Sequence, residues 1–227
     1  MIDVAVVIPT LNEAESIGPV VEELRRHGVR QIIVADGGST DDTQGIATRA
    51  GARVIDAGRG YGRACLAGAQ AADAALIAFM DGDGADDPAY LDQLVAPVRS
   101  GEVDFAIGSR WRGRAEQGSI HLHQTLAGLV IGQAIGALYG TGFTDMCAFR
   151  VIRRDVLLGM KMQEMTYGWN LEMQLRVAKA RLKILEIPVA NRRRIGGRSK
   201  VAGSVSGSLK AGVRILQTFW RFTRSRS

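Results

Sequence analysis

Cysteine and histidine are scarce: the 227 residues hold two of the first and three of the second. Cys65 and Cys147 lie far apart and match no metal-binding or redox spacing. They read as two small buried residues of a reduced, cytosolic protein. His27 falls on an early helix, and His121 and His123 precede an apolar stretch, so each reads as structural and any reactive site is poor in imidazole. Aromatic residues make up 6% and are not interleaved with the basic ones as base-stacking platforms, which argues against nucleic acid as a partner. The chain opens on a strand-like run instead of a basic segment and a cleavable apolar core, so no signal peptide is expected. A transmembrane helix needs about 20 predominantly apolar residues. The one candidate, within residues 117–144, has no Asp, Glu, Lys or Arg but carries Gln124 and Gln133, and it is not expected to span.

What is present supports one sizeable domain with an appendage. Hydrophobic residues make up 46% and there is no low-complexity tract. The net charge of +6 is unevenly spread. Residues 1–149 hold 11 Lys/Arg against 19 Asp/Glu, and residues 150–227 hold 18 against 4. Ten basic residues and no acid follow Glu186. A tail of this kind seeks polyanions: anionic lipid, phosphorylated substrates or nucleic acid.

Short apolar runs alternate with helical patterns from the start. Val4–Ile8, Gln31–Ala35, Arg53–Ile55 and Ala74–Phe79 read as strands, with helices between them. This β-α-β order predicts a doubly wound, mostly parallel sheet of the α/β class. Three acidic loops follow three of these strands: Pro9-Thr10-Leu11-Asn12-Glu13, Asp36-Gly37-Gly38-Ser39-Thr40-Asp41-Asp42-Thr43 and Asp81-Gly82-Asp83. In such sheets ligands bind at the strand C-termini. A lone D-x-D also suits a solvated turn, and each loop alone suits a helix cap, Asn12 being the expected cap of the helix after the first strand. Two carboxylates this close repel unless a cation lies between them, and hard oxygen ligands suit Mg²⁺ or Mn²⁺, which in turn suit a diphosphate.

Together these loops, with Ile107-Gly108-Ser109-Arg110, resemble the family 2 glycosyltransferases of the GT-A fold over residues 1 to about 200. Phe143-Thr144-Asp145, Phe149-Arg150, Tyr167–Met173 and Arg194-Ile195-Gly196-Gly197-Arg198-Ser199-Lys200 are similar to segments of the polyprenyl- and dolichyl-phosphate hexosyltransferases. The resemblance implies a nucleoside-diphosphate sugar donor bordered by Pro9, Leu11 and Glu13, with Glu13 on the ribose and Asp36 on the base. It implies that Asp81, Gly82 and Asp83 hold the nucleotide, Asp81 and Asp83 the metal, and Arg110, Arg198, Ser199 and Lys200 the phosphates. Where relatives often carry Gln and His, this chain has Ala85 and Asp86.

The expected reaction is an inverting hexosyl transfer to a polyprenyl or dolichyl phosphate. Such an acceptor is already an anion and needs cations to bring it close more than it needs a strong base. A hydroxyl acceptor would want one, and Asp145 is the candidate; it equally suits positioning the acceptor or the Arg110 loop. Asp83, Asp145 and Arg110 are thus the expected catalytic set. A non-catalytic nucleotide-sugar binder is the rival that keeps the same loops. The expected division is a donor half (1–115), an acceptor half (116–203) and a basic amphipathic helix (204–227). In that tail Leu209, Val213, Leu216 and Trp220 form one face, suited to lying on an anionic membrane or to docking on the domain as a core helix, the first being expected. Gly128, Gly132, Gly136 and Gly140 recur every four residues, which suits either tight packing on the sheet or an interfacial or homodimer seam. The expected location is cytoplasmic, peripheral on the inner membrane face.

Overall fold

The computed structural model describes residues 2–113, 122–196 and 217–222. Arg198, Ser199, Lys200 and residues 204–216 lie outside them. Seven strands form one sheet: β1 (Ile2–Thr10), β2 (Val29–Asp36), β3 (Arg53–Asp56), β4 (Leu76–Phe79), β5 (Phe105–Ser109), β6 (Arg150–Arg153) and β7 (Ile184–Pro188). Their order is β3-β2-β1-β4-β6-β5-β7. All neighbours run parallel except β6, which is antiparallel to both β4 and β5. The expectation of a doubly wound, mostly parallel sheet holds. The chain builds outward from β1 through β2 to β3, then returns to place β4 on the other side of β1. The strand order therefore reverses between β1 and β4, where a crevice opens for ligands.

The uninterrupted apolar runs of β1 and β4 follow from being covered on both faces. From Val4 to Ile8 and from Leu76 to Phe79 every residue is buried. Helix α1 (Ile17–Arg26) turns Ile17, Val20, Val21 and Leu24 inward, one stripe at helical spacing. Helices α2 (Thr43–Arg49) and α3 (Tyr61–Ala71) follow β2 and β3. At Gly68 of α3 an added Cβ would lie 2.3 Å from Val7 Cγ1, so glycine lets this helix approach β1 closely. After a single 3₁₀ turn at Pro88–Tyr90 comes α4 (Leu91–Arg99). Trp169 opens α7 (Trp169–Lys179) and is fully buried edge-on to Phe79, with ring centroids 6.2 Å apart. Each such fully buried apolar side chain contributes roughly 1.5–3 kcal/mol, so this core outweighs the polar contacts nearby.

One local expectation changes. Asn12 does not cap α1. It adopts φ 52° and its Oδ1 accepts the Thr40 amide at 2.8 Å, while α1 begins at Ile17, after Ser16. The first helix after β6 is α6 (Arg154–Gly159), preceded by α5 (Leu122–Tyr139), a single helix through the uncharged stretch. The glycines of α5 face the segment that follows: a Cβ at Gly132 would collide with the Phe143 carbonyl, and one at Gly136 would lie 3.2 Å from Gly142 Cα. Val130 and Leu138 are exposed. Among the described residues no helix is long and apolar enough to cross a membrane. In the tail, residues 217–222 are helical. Thr218 is buried there and donates to Glu164, Phe222 receives Arg176 and Lys179 against its ring, and Trp220 is exposed.

Candidate active site

The three acidic loops meet at the strand C-termini around the β1–β4 crossover. The first two are laced together. Thr43 Oγ1 accepts the Glu13 amide at 2.8 Å, Ser39 Oγ accepts the Asn12 amide at 2.8 Å, and Asp41 accepts the Ala14 amide at 3.2 Å. Asp36 closes the lacing from inside. Its Oδ1 accepts from the Thr10 and Ser39 hydroxyls, and its Oδ2 from the Gly38 and Ser39 amides and Gln44 Nε2. Burial alone would raise its pKa, but these hydrogen bonds outweigh that and hold it below the usual carboxylate value. Asp36 is fully buried with five donors on it, so in this arrangement it orders the loop and has no vacant acceptor to offer a base. Pro9 and Leu11, on the same rim, are half-buried, and Glu13 is nearly buried.

The β4 loop is pinned on β1. The Ser16 hydroxyl donates to the Gly82 carbonyl at 2.7 Å. A Cβ at Gly82 would lie 3.2 Å from Thr10 Cγ2 and 3.3 Å from Ile8 Cγ2, so the loop lies close on that strand. Asp81 Oδ1 accepts from the Tyr61 hydroxyl at 3.2 Å. Asp83 Oδ1 accepts the Ala85 amide at 2.9 Å, while its Oδ2 lies 3.2 Å from Arg194. A third acid joins them: Asp86 Oδ2 accepts the Asp81 amide at 3.1 Å. Burial, then the charge of Asp83, pushes the Asp81 carboxyl up to about 6. Burial, then Asp81 and Asp83, pushes Asp86 up to about 8. Two carboxyls pushed up by burial and by neighbouring acid charge mark a place where positive charge is favoured.

Among the described residues no three His, Cys, Asp or Glu side chains converge to hold a metal ion by themselves. The donor set fits a hard divalent ion shared with a ligand: Asp81 and Asp83 would supply carboxylate oxygens, which suit Mg²⁺ or Mn²⁺.

At the end of β5 lies a second constellation. Asp145 is buried and accepts from Arg110 three times: the amide at 2.9 Å and Nε at 2.8 Å on Oδ2, and Nη2 at 2.7 Å on Oδ1. Desolvation would lower the Arg110 pKa, but the Asp145 bond and neighbouring charges raise it above its usual value, so the group is a permanent cation. Its charge in turn acts on Asp81 and Asp86. The loop is braced from behind: Ser109 and Thr144 hydroxyls pair at 2.7 Å, Glu186 accepts the Thr144 amide at 2.8 Å, and Gln174 Nε2 donates to the Asp145 carbonyl at 2.7 Å. With both oxygens on Arg110, Asp145 serves here as a positioner of that loop. Sequence reasoning gave no role to Tyr61, Asp86, Glu186 or Arg194. Asp86 left a signal as a further acid beside the pair, and Arg194 as the first residue of the segment that resembles the polyprenyl-phosphate hexosyltransferases.

A mixed, mostly parallel sheet with an acid pair where its strand order reverses is the architecture of the GT-A fold. The fold is shared with glucosyl-3-phosphoglycerate synthase from Mycobacterium tuberculosis, crystallised with Mn²⁺, UDP-glucose and phosphoglyceric acid. That likeness has a TM-score of 0.77 at 22% identity, over 97% of this chain and 79% of that one. The chain belongs to glycosyl transferase family 2, which matches residues 5–159. An uncharacterised glycosyltransferase of Mycobacterium tuberculosis is 34% identical over 226 residues, 96% of each chain. Dodecaprenyl-phosphate galacturonate synthase of Rhizobium johnstonii is 28% identical over 181 residues, 71% of this chain and 51% of that protein.

Proposed function

We propose that the protein transfers a hexose, with inversion, from a nucleoside-diphosphate sugar to a polyprenyl phosphate at the cytoplasmic face of a membrane. The observation that carries this is the pairing of the acids Asp81 and Asp83 with a fixed cation, Arg110, whose charge reaches Asp81. Pro9, Leu11 and Glu13 border the nucleoside, and Asp36 holds their loop in shape. Asp81 and Asp83 hold a divalent ion, which stabilises negative charge on the departing diphosphate when bound. Arg110 and the sequence residues Arg198, Ser199 and Lys200 meet the acceptor phosphate. Holding two anions beside one another in attack geometry is where the rate gain arises. A hydroxyl acceptor would need a free base, and the engagement of both Asp145 oxygens by Arg110 favours the phosphate acceptor. The basic tail and the exposed Val130 and Leu138 of α5 support attachment to an anionic surface.

The test offers UDP-glucose, UDP-galacturonate and GDP-mannose, each with polyprenyl phosphate in anionic vesicles or with 3-phosphoglycerate, in Mg²⁺ or Mn²⁺. Labelled sugar should move into the lipid phase with at least one donor. Product only on 3-phosphoglycerate would overturn the lipid acceptor.

A further inference from the structure

Past the end of β7, residues 191–195 cross over the acid loop and are stitched to it. Asn191 bridges Asp86, the Arg192 amide donates to the Ala85 carbonyl at 2.9 Å, and the Ile195 amide donates to the Asp83 carbonyl at 2.9 Å. Arg192 clamps the crossing with Glu23 at 2.8 Å and Asp87 at 2.6 Å. Ile195 covers Gly84, whose φ of 79° and lack of a Cβ leave room for it. This strap delivers Arg194 to the acids, with Nη1 3.2 Å from Asp83 Oδ2 and Nη2 3.6 Å from Glu13 Oε1. Its Nε is buried and has no hydrogen-bond partner.

We propose that Arg194 binds the donor's diphosphate, and that it and a divalent cation compete for Asp83, Arg194 passing to the diphosphate as the cation takes its place. The inference rests on the donor site proposed above. Three features lead to it. Asp83 Oδ1 already accepts the Ala85 amide, which leaves Oδ2, the atom Arg194 faces, as the oxygen more open to a cation. The Arg194 contacts, at 3.2 and 3.6 Å, are loose beside the Arg110–Asp145 fork at 2.7 and 2.8 Å, so they exchange more easily. The idle Nε–H needs an acceptor, and a diphosphate oxygen supplies one to a guanidinium in fork geometry.

Calorimetric titration separates the parts without any turnover. Mn²⁺ alone, then inorganic pyrophosphate in saturating Mn²⁺, are titrated into wild type, Arg194→Gln, Arg194→Lys and Arg192→Gln, each checked by thermal melt. Arg194→Gln should bind Mn²⁺ about three- to tenfold more tightly, having lost the competitor. It should bind pyrophosphate about tenfold more weakly, on the order of one charge-assisted hydrogen bond. Arg194→Lys keeps the charge but loses the fork, so it should stay near wild type for Mn²⁺ and near Arg194→Gln for pyrophosphate. Unchanged or weaker Mn²⁺ binding by Arg194→Gln, or unchanged pyrophosphate binding, overturns the proposal. So does the same opposed pair of changes in Arg192→Gln, which would make Arg194 a mere staple of the strap. A wild type that binds neither probe removes the donor-site reading, and this inference with it.

Discussion

The two halves of the site are built by different means. On the proposed donor side, the tips of β1 and β2 are laced together by hydroxyls, amides and carboxylates of their own loops, across 26 to 30 residues, with Asp36 at the centre. On the proposed acceptor side a charged fork does the holding: Arg110 is clamped by Asp145, 35 residues away, and Glu186 braces Thr144 across 42. The family match, residues 5–159, covers the three acidic loops together with Arg110 and Asp145, and stops before Glu186 and Arg194. A preorganised hydrogen-bonded cradle suits a nucleotide, and a cation held in a charged fork suits a phosphate.

The comparison breaks most sharply at Asp83. If the donor side supplies the charge stabilisation for the reaction, Asp83→Asn should lower turnover about a hundred- to a thousandfold, roughly 3–4 kcal/mol of barrier. Excess EDTA should match it in the wild type. Steady-state rates with a saturating acceptor measure this, and full activity in EDTA would remove the metal from the scheme.

Asp36 probes the lacing. Asp36→Ala leaves buried donors from Thr10, Ser39 and Gln44 without an acceptor, which should cost roughly 2–3 kcal/mol of stability. In a chain of this size that is a fall of roughly 5–12 °C in Tm. The sign of the pH effect is also set. Hydrogen bonds hold the folded carboxyl below its usual pKa, so its stabilisation is present above about pH 4 and is lost as pH falls through the lower, folded value. Wild type should therefore lose more stability than Asp36→Asn between about pH 4 and 2. Equal slopes in chemical denaturation would show that Asp36 carries no such load.

The same contrast explains what could be read from the chain. Buried parallel strands announce themselves as unbroken apolar runs, so β1, β2 and β4 and the acids at their tips were legible, and with them the crossover. Asn12 was misread because cap preference is local, whereas its partner Thr40 lies on the next loop. Tyr61 and Arg194 were given no role for a related reason. A tyrosine in a glycine-rich turn and one arginine among several in a basic run carry no mark of the carboxylate they reach. Glu186 is one polar position of a stretch that alternates from Leu182 to Val189; only the pairing of β7 with β5 brings it under Thr144.

Asp145 tests the acceptor side, with the smallest expected effect. Its carboxylate spans Nε and Nη2 of Arg110 and also takes the Arg110 amide, so both of its oxygens are engaged in holding that residue. Asparagine preserves the shape and one acceptor oxygen but removes the charge that fixes the fork. Asp145→Asn should therefore raise the KM for polyprenyl phosphate about tenfold, near 1.4 kcal/mol, with little change in kcat or in donor binding. A general base behaves otherwise. Its loss should cut kcat about a hundredfold or more and abolish the acid limb of the pH–rate profile. The KM and kcat values, with profiles from about pH 5 to 9, separate the two. A collapse of kcat with a flattened acid limb would assign the proton to Asp145 and return a hydroxyl acceptor to consideration. A KM effect with an unchanged profile would leave Asp145 as the brace that aims Arg110 at a phosphate.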